Sequence, residues 1–347
     1  MSPQDVATAL RESGGVRVVS GGTKLGWGRP VEAPELSVSE LDEIVEHNEG
    51  DLTAILQAGV PLATAQERFA SAGQMLSIDP PGAGATIGGI LATADSGPLR
   101  HRYGAIRDLV LGVQVALPDG TLARAGSRVI KNVAGYDLAK LMAGAYGTLG
   151  VVTEVSMRLH PRPRERRTVV LRDDDPRALA TTASDLAHRP LEAEALDVRW
   201  EDGAGAVLVA LSGRSAPERA AALGGEVVED DESLWEAQRA AQRGPVVLRV
   251  SSTQLGLADV LETAREHGAT CVARAALGIA WLRFEEATPE LVESLRGSLG
   301  ACVLLDAPEE LRRAVDPWGP MPAEPLMRRV KARFDPYDTC NPGVMFA

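Results

Sequence analysis

Asp79-Pro80-Pro81-Gly82-Ala83-Gly84-Ala85-Thr86-Ile87-Gly88-Gly89, continued a few residues later by Asp95-Ser96-Gly97, is the stretch on which the reading of this chain turns. Glycine lets a backbone come close to a ligand, and successive N–H groups in such a loop form a concave nest for an anion. An earlier loop, Ser20-Gly21-Gly22-Thr23-Lys24, offers a second nest. A pyrophosphate needs several N–H groups converging from separate segments. Either loop alone reads as an ordinary turn; the two together, with a strand and a helix between them, are far more specific. Leu52 to Gln57 is apolar as a buried strand is. Pro61 suits the first turn of a helix that carries Leu62, Ala65, Phe69 and Ala72 on one side and stops at Gly73.

Two familiar nucleotide sites fail on spacing. Gly82 to Gly88 looks like G-x-G-x-x-G, but its last glycine falls one position late, and the loop follows two prolines rather than a strand. No Walker A sequence occurs. A nicotinamide dehydrogenase and an ATPase are therefore disfavoured.

Downstream, Leu109 to Leu117 reads as a strand. Pro118-Asp119-Gly120-Thr121 reads as a turn and Leu122 to Ala125 as the returning partner. Lys131-Asn132-Val133-Ala134-Gly135-Tyr136-Asp137 leads into a helix expected over Tyr136 to Gly144. Gly147-Thr148-Leu149-Gly150 leads into a strand expected over Val151 to Leu159.

Together these segments resemble the FAD-binding domain of the vanillyl-alcohol oxidase / p-cresol methylhydroxylase (PCMH-type) family, and within it the smaller FAD-binding subunits of bacterial glycolate oxidases. The resemblance implies an α+β fold and bound FAD. It implies a pyrophosphate and adenosine grip by Ser20, Gly21, Gly22, Thr23, Lys24, Pro81, Gly84, Thr86, Gly88, Gly89, Ser96 and Gly97. It implies that Gly147, Gly150 and Val152 lay backbone against the flavin and adenine ribose. It also implies two partners, a larger FAD-binding glycolate oxidase subunit and an iron–sulfur subunit, and a small 2-hydroxy acid as substrate. Some members attach FAD through a histidine in the first loop. Here that loop holds none, so noncovalent FAD is expected.

Pro161-Arg162-Pro163-Arg164 with Arg166 and Arg167 interrupts the pattern and reads as a solvated linker. Beyond it the chain repeats. Val169-Val170-Leu171-Arg172 and Val246-Val247-Leu248-Arg249 each start a unit that reads β-α-β-β-α-β, the ferredoxin-like order. The expected organisation is an FAD-binding domain over 1–160, a smaller domain of two ferredoxin-like halves over 161–325, and a C-terminal tail, 326–347, returning to the FAD domain.

Composition limits the partners. A net charge of −12 repels nucleic-acid phosphates and anionic lipid. Cys271, Cys302 and Cys340 lie far apart, which argues against a disulfide framework and an iron–sulfur cluster in this chain. No signal peptide and no apolar run long enough to span a membrane is evident. A cytoplasmic protein, peripheral to a membrane only through partners, is expected.

The catalytic residues are not legible. Lys131 could stabilise an anionic reduced flavin, with Arg102 and Asn341 as further candidates; Asn132 equally caps a turn, and Tyr136 and Asp137 read as a cap beside a buried aromatic. The five histidines, His47, His101, His160, His188 and His267, form no metal-ligand spacing, and no metal is expected. The histidine-rich motif of the larger flavin subunits is missing. Oxidising a 2-hydroxy acid requires a base for the hydroxyl proton and cations for the carboxylate. Three readings stay open: a catalytic subunit of a glycolate-oxidase-type complex, a non-catalytic flavin-binding or electron-relay subunit, and an independent FAD-dependent oxidase of another alcohol or sugar acid.

Overall fold

In the first helix, α1 (Pro3–Glu12), the Ser2 side chain accepts from the Asp5 amide and Asp5 returns a bond to the Ser2 amide. This capping box satisfies two end groups that the helix cannot satisfy itself. The computed structural model describes residues 1–127 and 137–346.

After α1 come two short parallel strands, β1 (Arg17–Val19) and β2 (Glu35–Ser37). A five-stranded antiparallel sheet follows. It is built from β3 (Ile44–Asn48), β4 (Thr53–Gln57), β6 (Val110–Ala116), β7 (Leu122–Gly126) and β8 (Val151–Arg158), in the order β3-β4-β8-β6-β7. The small pair β5 (Gln74–Met75) and β9 (His160–Pro161) closes beside it. Four helices belong to this part: α2 (Leu62–Ala70), α3 (Ile87–Thr93), α4 (Arg100–Tyr103) and α5 (Ile106–Leu109). Leu56, Phe69, Ile87, Ile90, Leu91, Val155 and Met157 share one buried core.

The second half of the chain forms one eight-stranded sheet. Its first unit is β10 (Arg166–Asp173), α6 (Pro176–Ala187), β11 (Ala195–Glu201), β12 (Ala204–Ser212), α7 (Ala216–Leu223) and β13 (Glu226–Val228). The second is β14 (Val246–Ser251), α9 (Leu257–Glu266), β15 (Thr270–Arg274), β16 (Ile279–Phe284), α10 (Pro289–Leu299) and β17 (Ala301–Asp306). The strand order β13-β10-β12-β11-β15-β16-β14-β17 is two ferredoxin-like sheets joined edge to edge. β11 and β15 make the seam, Val198 opposite Ala273. Alternation along the strands sends Val246, Leu248 and Val250 into the core beneath α6, α9 and α10. The opposite face, with Val247, Val272 and Trp281, packs on Trp27 and Tyr146 of the first part. One helix between the repeats, α8 (Glu232–Ala240), had no counterpart in the sequence reading; it covers the outer face of the first unit through Trp235. α11 (Glu309–Ala314) and α12 (Glu324–Phe334) finish the regular structure.

Three expectations need correction. The helix over Tyr136 to Gly144 is, in its described portion, one 3-10 turn, Leu138–Leu141. Asp137 precedes that turn but makes no capping bond; it pairs instead with Lys140 at 3.0 Å. The arginine linker is only partly solvated. Arg166 and Arg167 sit in β10, where Arg166 pairs with the buried Asp231 at 2.8 Å, while Arg162 and Arg164 stay exposed.

The tail crosses back. The Asn341 amide donates to the Val16 carbonyl at 2.9 Å, and the Lys331 ammonium donates to the Thr148 carbonyl at 2.9 Å.

Candidate cofactor site

β1 ends at Val19, and the chain turns through Ser20 to Lys24 over the first turn of α3. Gly21 is required there by close approach: a Cβ on it would lie 2.1 Å from the Gly84 carbonyl oxygen. The two glycine loops of the sequence are thus pressed together, backbone on backbone. Thr86 caps α3, its hydroxyl accepting from the Gly89 amide at 3.4 Å. Gly88 and Gly89, read from sequence as loop, fall in the first turn of this helix.

Two neighbouring cavities open here, about 650 and 570 Å3 of atom-free space. The first is lined by Ser20, Gly21, Gly22, Thr23, Lys24, Thr86 and Gly89. The second is lined by Gly88, Gly147, Gly150 and Val152. Ser20, Gly89 and Asn341 border both. Most of the residues expected at the cofactor are therefore brought together by the fold.

Several are not. Gly84 and Pro81 border neither cavity; Gly84 acts through the contact with Gly21. The Ser96 amide donates to its neighbour Asp95, its hydroxyl accepts from Arg100, and its carbonyl accepts from Gln242. Gly97 packs on the Asp79 backbone. Arg102 points away, donating to the Glu192 carbonyl at 2.8 Å. Lys131, Asn132 and Tyr136 lie outside the described residues.

Asn341 has no free end for chemistry. Its carbonyl oxygen accepts from the Val18 amide and its NH2 donates to the Tyr146 carbonyl, both at 2.7 Å. It is a clamp joining β1, the Tyr146 turn and the tail. Lys24 borders the first cavity but is already paired with Asp95 at 3.2 Å, both side chains buried. Burial raises the Asp95 pKa, and Lys24 opposes that rise.

The fit to a polar ligand rests on two orphaned groups. The Ser20 and Tyr146 hydroxyls are buried without a hydrogen-bond partner, and both residues line the first cavity. A buried hydroxyl left unpaired costs roughly 1–3 kcal/mol. A ligand with phosphate and ribose oxygens relieves that cost. Burial also pushes the Tyr146 phenol up to about 12, so it stays a neutral donor. Sequence offered no signal for Tyr146, Trp27 or Val18, which reach the cavity through contacts far apart along the chain.

Residues 2–126 match the family described as an FAD binding domain. Over 251 residues the chain is 36% identical to glycolate oxidase subunit GlcE of Escherichia coli (strain K12), covering 69% of this chain and 67% of that protein. This chain belongs to that family of FAD-binding subunits. It is also 33% identical over 162 residues to the mitochondrial D-lactate dehydrogenase [cytochrome] 1 of Saccharomyces cerevisiae, a match covering 47% of this chain but only 27% of that longer protein. An alkyldihydroxyacetonephosphate synthase shares the fold, with a TM-score of 0.68 at 16% identity over 99% of this chain and 74% of that one.

The family placement agrees with the cavities. Gly22, Thr23 and the two open hydroxyls border this space, whereas the Gly88 amide is spent on the Ala58 carbonyl at 2.7 Å and the Gly89 amide on the Thr86 hydroxyl. Among the described residues, no group of three or more histidine, cysteine, aspartate or glutamate side chains is placed to hold a metal. The three cysteines are buried and unpaired. No helix among the described residues is long and apolar enough to cross a membrane.

Proposed function

We propose that this chain is the FAD-binding subunit of a glycolate-oxidase-type complex that converts a small 2-hydroxy acid to the 2-oxo acid. FAD bound in the paired cavities supplies a two-electron acceptor for hydride from the hydroxyl-bearing carbon. Ser20 to Thr23 hold its phosphates, Gly88 and Gly89 leave them room, and Gly147 to Val152 lie against its flavin and adenine ribose. The observation that carries this reading is the convergence of the two glycine loops and the Tyr146–Val152 turn on one cleft, with two unsatisfied hydroxyls inside it. The FAD is held noncovalently: neither cavity is lined by histidine or cysteine.

Electrons leave through an iron–sulfur partner, and a larger FAD-binding subunit completes the assembly. The relatives' subunit character and this chain's buried, scattered cysteines support both. The protein works in the cytoplasm and reaches a membrane only through those partners. The division into an FAD-binding unit over 1–160, a ferredoxin-like unit over 161–325 and a returning tail belongs to the same proposal.

The test is purification of the chain alone and with both partners. Flavin bleaching by glycolate and D-lactate is recorded anaerobically in each case. The chain alone is expected to carry FAD but to bleach slowly, and the complex to bleach quickly. Fast bleaching of the isolated chain would instead support an independent oxidase. A complex that turns over normally with this subunit's FAD site emptied would make the subunit a structural or electron-relay component.

A further inference from the structure

Two arginines, one on each side of the junction between the sheets, lack a counter-ion. On β14, Val246, Leu248 and Val250 enter the core of the large sheet, so alternation turns Val247 and Arg249 to the other face. Val247 packs there with Trp27 and Tyr146, and Trp281, directly across from Arg249 in register, joins the same cluster. Arg249 is half-buried, and no hydrogen bond or ion pair joins its side chain to any described residue.

Arg100, in α4 on the flavin side, is half-buried as well. Its hydrogen bond goes to the neutral Ser96 hydroxyl at 3.3 Å. Burial lowers its pKa, and the charges of Arg249 and Arg274 lower it further. Arg274 is already neutralised by Asp197 at 2.6 Å, both fully buried. The Tyr146 hydroxyl feels the Arg249 charge, is buried, and has no partner. Two partly desolvated like charges that repel one another are costly. Asp108 pulls the Arg100 pKa the other way, and Asp95 acts on Tyr146, but no carboxylate forms an ion pair with either arginine among the described residues.

We propose that Arg249 and Arg100, with the Tyr146 hydroxyl, form a subsite at this junction that binds the carboxylate of a small 2-hydroxy acid. The subsite deepens the flavin reading above and rests on it. A guanidinium fork matches a carboxylate through two parallel N–H donors, and one arginine from each sheet makes the subsite depend on their packing. The FAD phosphates are the other anion such charge can meet, and the experiment separates the two.

The full chain, FAD-loaded and flavin-stripped, is titrated calorimetrically with oxalate, which has carboxylates but no oxidisable C–H bond. Propane-1,2-diol, without a carboxylate, is the control. FAD content is read after acid release. Oxalate is expected to bind both forms and to perturb the flavin spectrum of the loaded one; the diol does neither. Arg249→Gln and Arg100→Gln each weaken oxalate roughly 10- to 100-fold at full FAD content. Arg249→Lys recovers part of the affinity. If a glutamine variant does not fold, Arg249→Lys and Tyr146→Phe, which keep charge or shape, still show a severalfold loss. Unchanged oxalate affinity in the folded variants overturns the proposal. So does loss of FAD in place of oxalate, which assigns the arginines to phosphate. A wild-type chain that takes up no FAD defeats the flavin reading, while the stripped chain's response to oxalate still decides the subsite.

Discussion

The Val18 amide donates to the Asn341 side-chain oxygen at 2.7 Å, tying the first strand to the end of the chain. The same side chain donates to the Tyr146 carbonyl, so a single amide fixes three segments that border both cavities. Asn341 also holds φ of 45°, in the left-handed region that asparagine tolerates better than most residues.

Asn341→Ala should therefore act on stability and FAD together. It strands a half-buried N–H and carbonyl and strains the backbone, for a loss of about 2–4 kcal/mol. Urea titration with and without FAD checks this. Asn341→Gly, which removes only the strain, should recover part of the loss but not the FAD affinity. Full FAD affinity in Asn341→Ala would refute the clamp.

The two helix glycines should separate packing from ligand space. A Cβ on Gly88 would lie 2.7 Å from the Ala58 Cβ and 2.9 Å from its carbonyl oxygen, so Gly88→Val disturbs α3 and the turn that leaves β4. A Cβ on Gly89 meets only the Thr86 hydroxyl, at 3.2 Å, and otherwise faces the cavities. Gly89→Val is expected to fold and to lose stoichiometric FAD. Gly88→Val is expected to lose thermal stability even without FAD. Yellow, FAD-saturated Gly89→Val protein removes Gly89 from the site.

The flavin should leave under acid. Trichloroacetic acid precipitation is expected to put the yellow colour in the supernatant, since no histidine or cysteine borders either cavity. Colour in the washed pellet would point to a covalent bond from another segment; His101, whose ring nitrogen Nδ1 is buried without a partner, is the first to replace.

Local signals made the doubled ferredoxin-like order readable. Asp175 and Thr288 cap α6 and α10, proline opens both helices, and the Val-Val-Leu-Arg runs of β10 and β14 are short apolar stretches, as strands with both faces covered are. The glycine loops were readable because close backbone approach leaves glycine where little else fits. What escaped was made by long-range packing. α8 has no capping bond from the side chain of Asp231, which precedes it, and that side chain instead binds Arg166 and Thr168 of β10. Ser96 and Gly97 read as cofactor residues from sequence because small residues look alike there. Only the fold shows them spent on Asp95, Gln242 and Asp79. Asn341 looked catalytic because its two backbone partners lie far away in the chain.

A last prediction concerns pH and the junction between the two sheets. Asp79 accepts from the Leu99 amide at 3.0 Å and lies 3.9 Å from Arg239. Burial raises its pKa to about 7, against the pull of Arg274 and Arg239 and with Asp197 adding to the rise. Between the ordinary carboxylate range and pH 7, the folded protein keeps a proton that the unfolded chain has lost. Folding then binds protons, so this group's contribution to stability falls as pH rises through that window. At about 1.4 kcal/mol per pKa unit the full effect is of order 4 kcal/mol, complete only above pH 7. Burial raises Asp95 and Asp197 in the same direction. Asp79→Asn keeps the acceptor for Leu99 and removes the ionisation. Urea unfolding from pH 5 to 8 should show the wild type losing stability and Asp79→Asn losing less, with the variant the more stable of the two at pH 8. Parallel curves would mean that Asp79 is ionised throughout, held by Arg239 and Arg274 more strongly than its burial opposes.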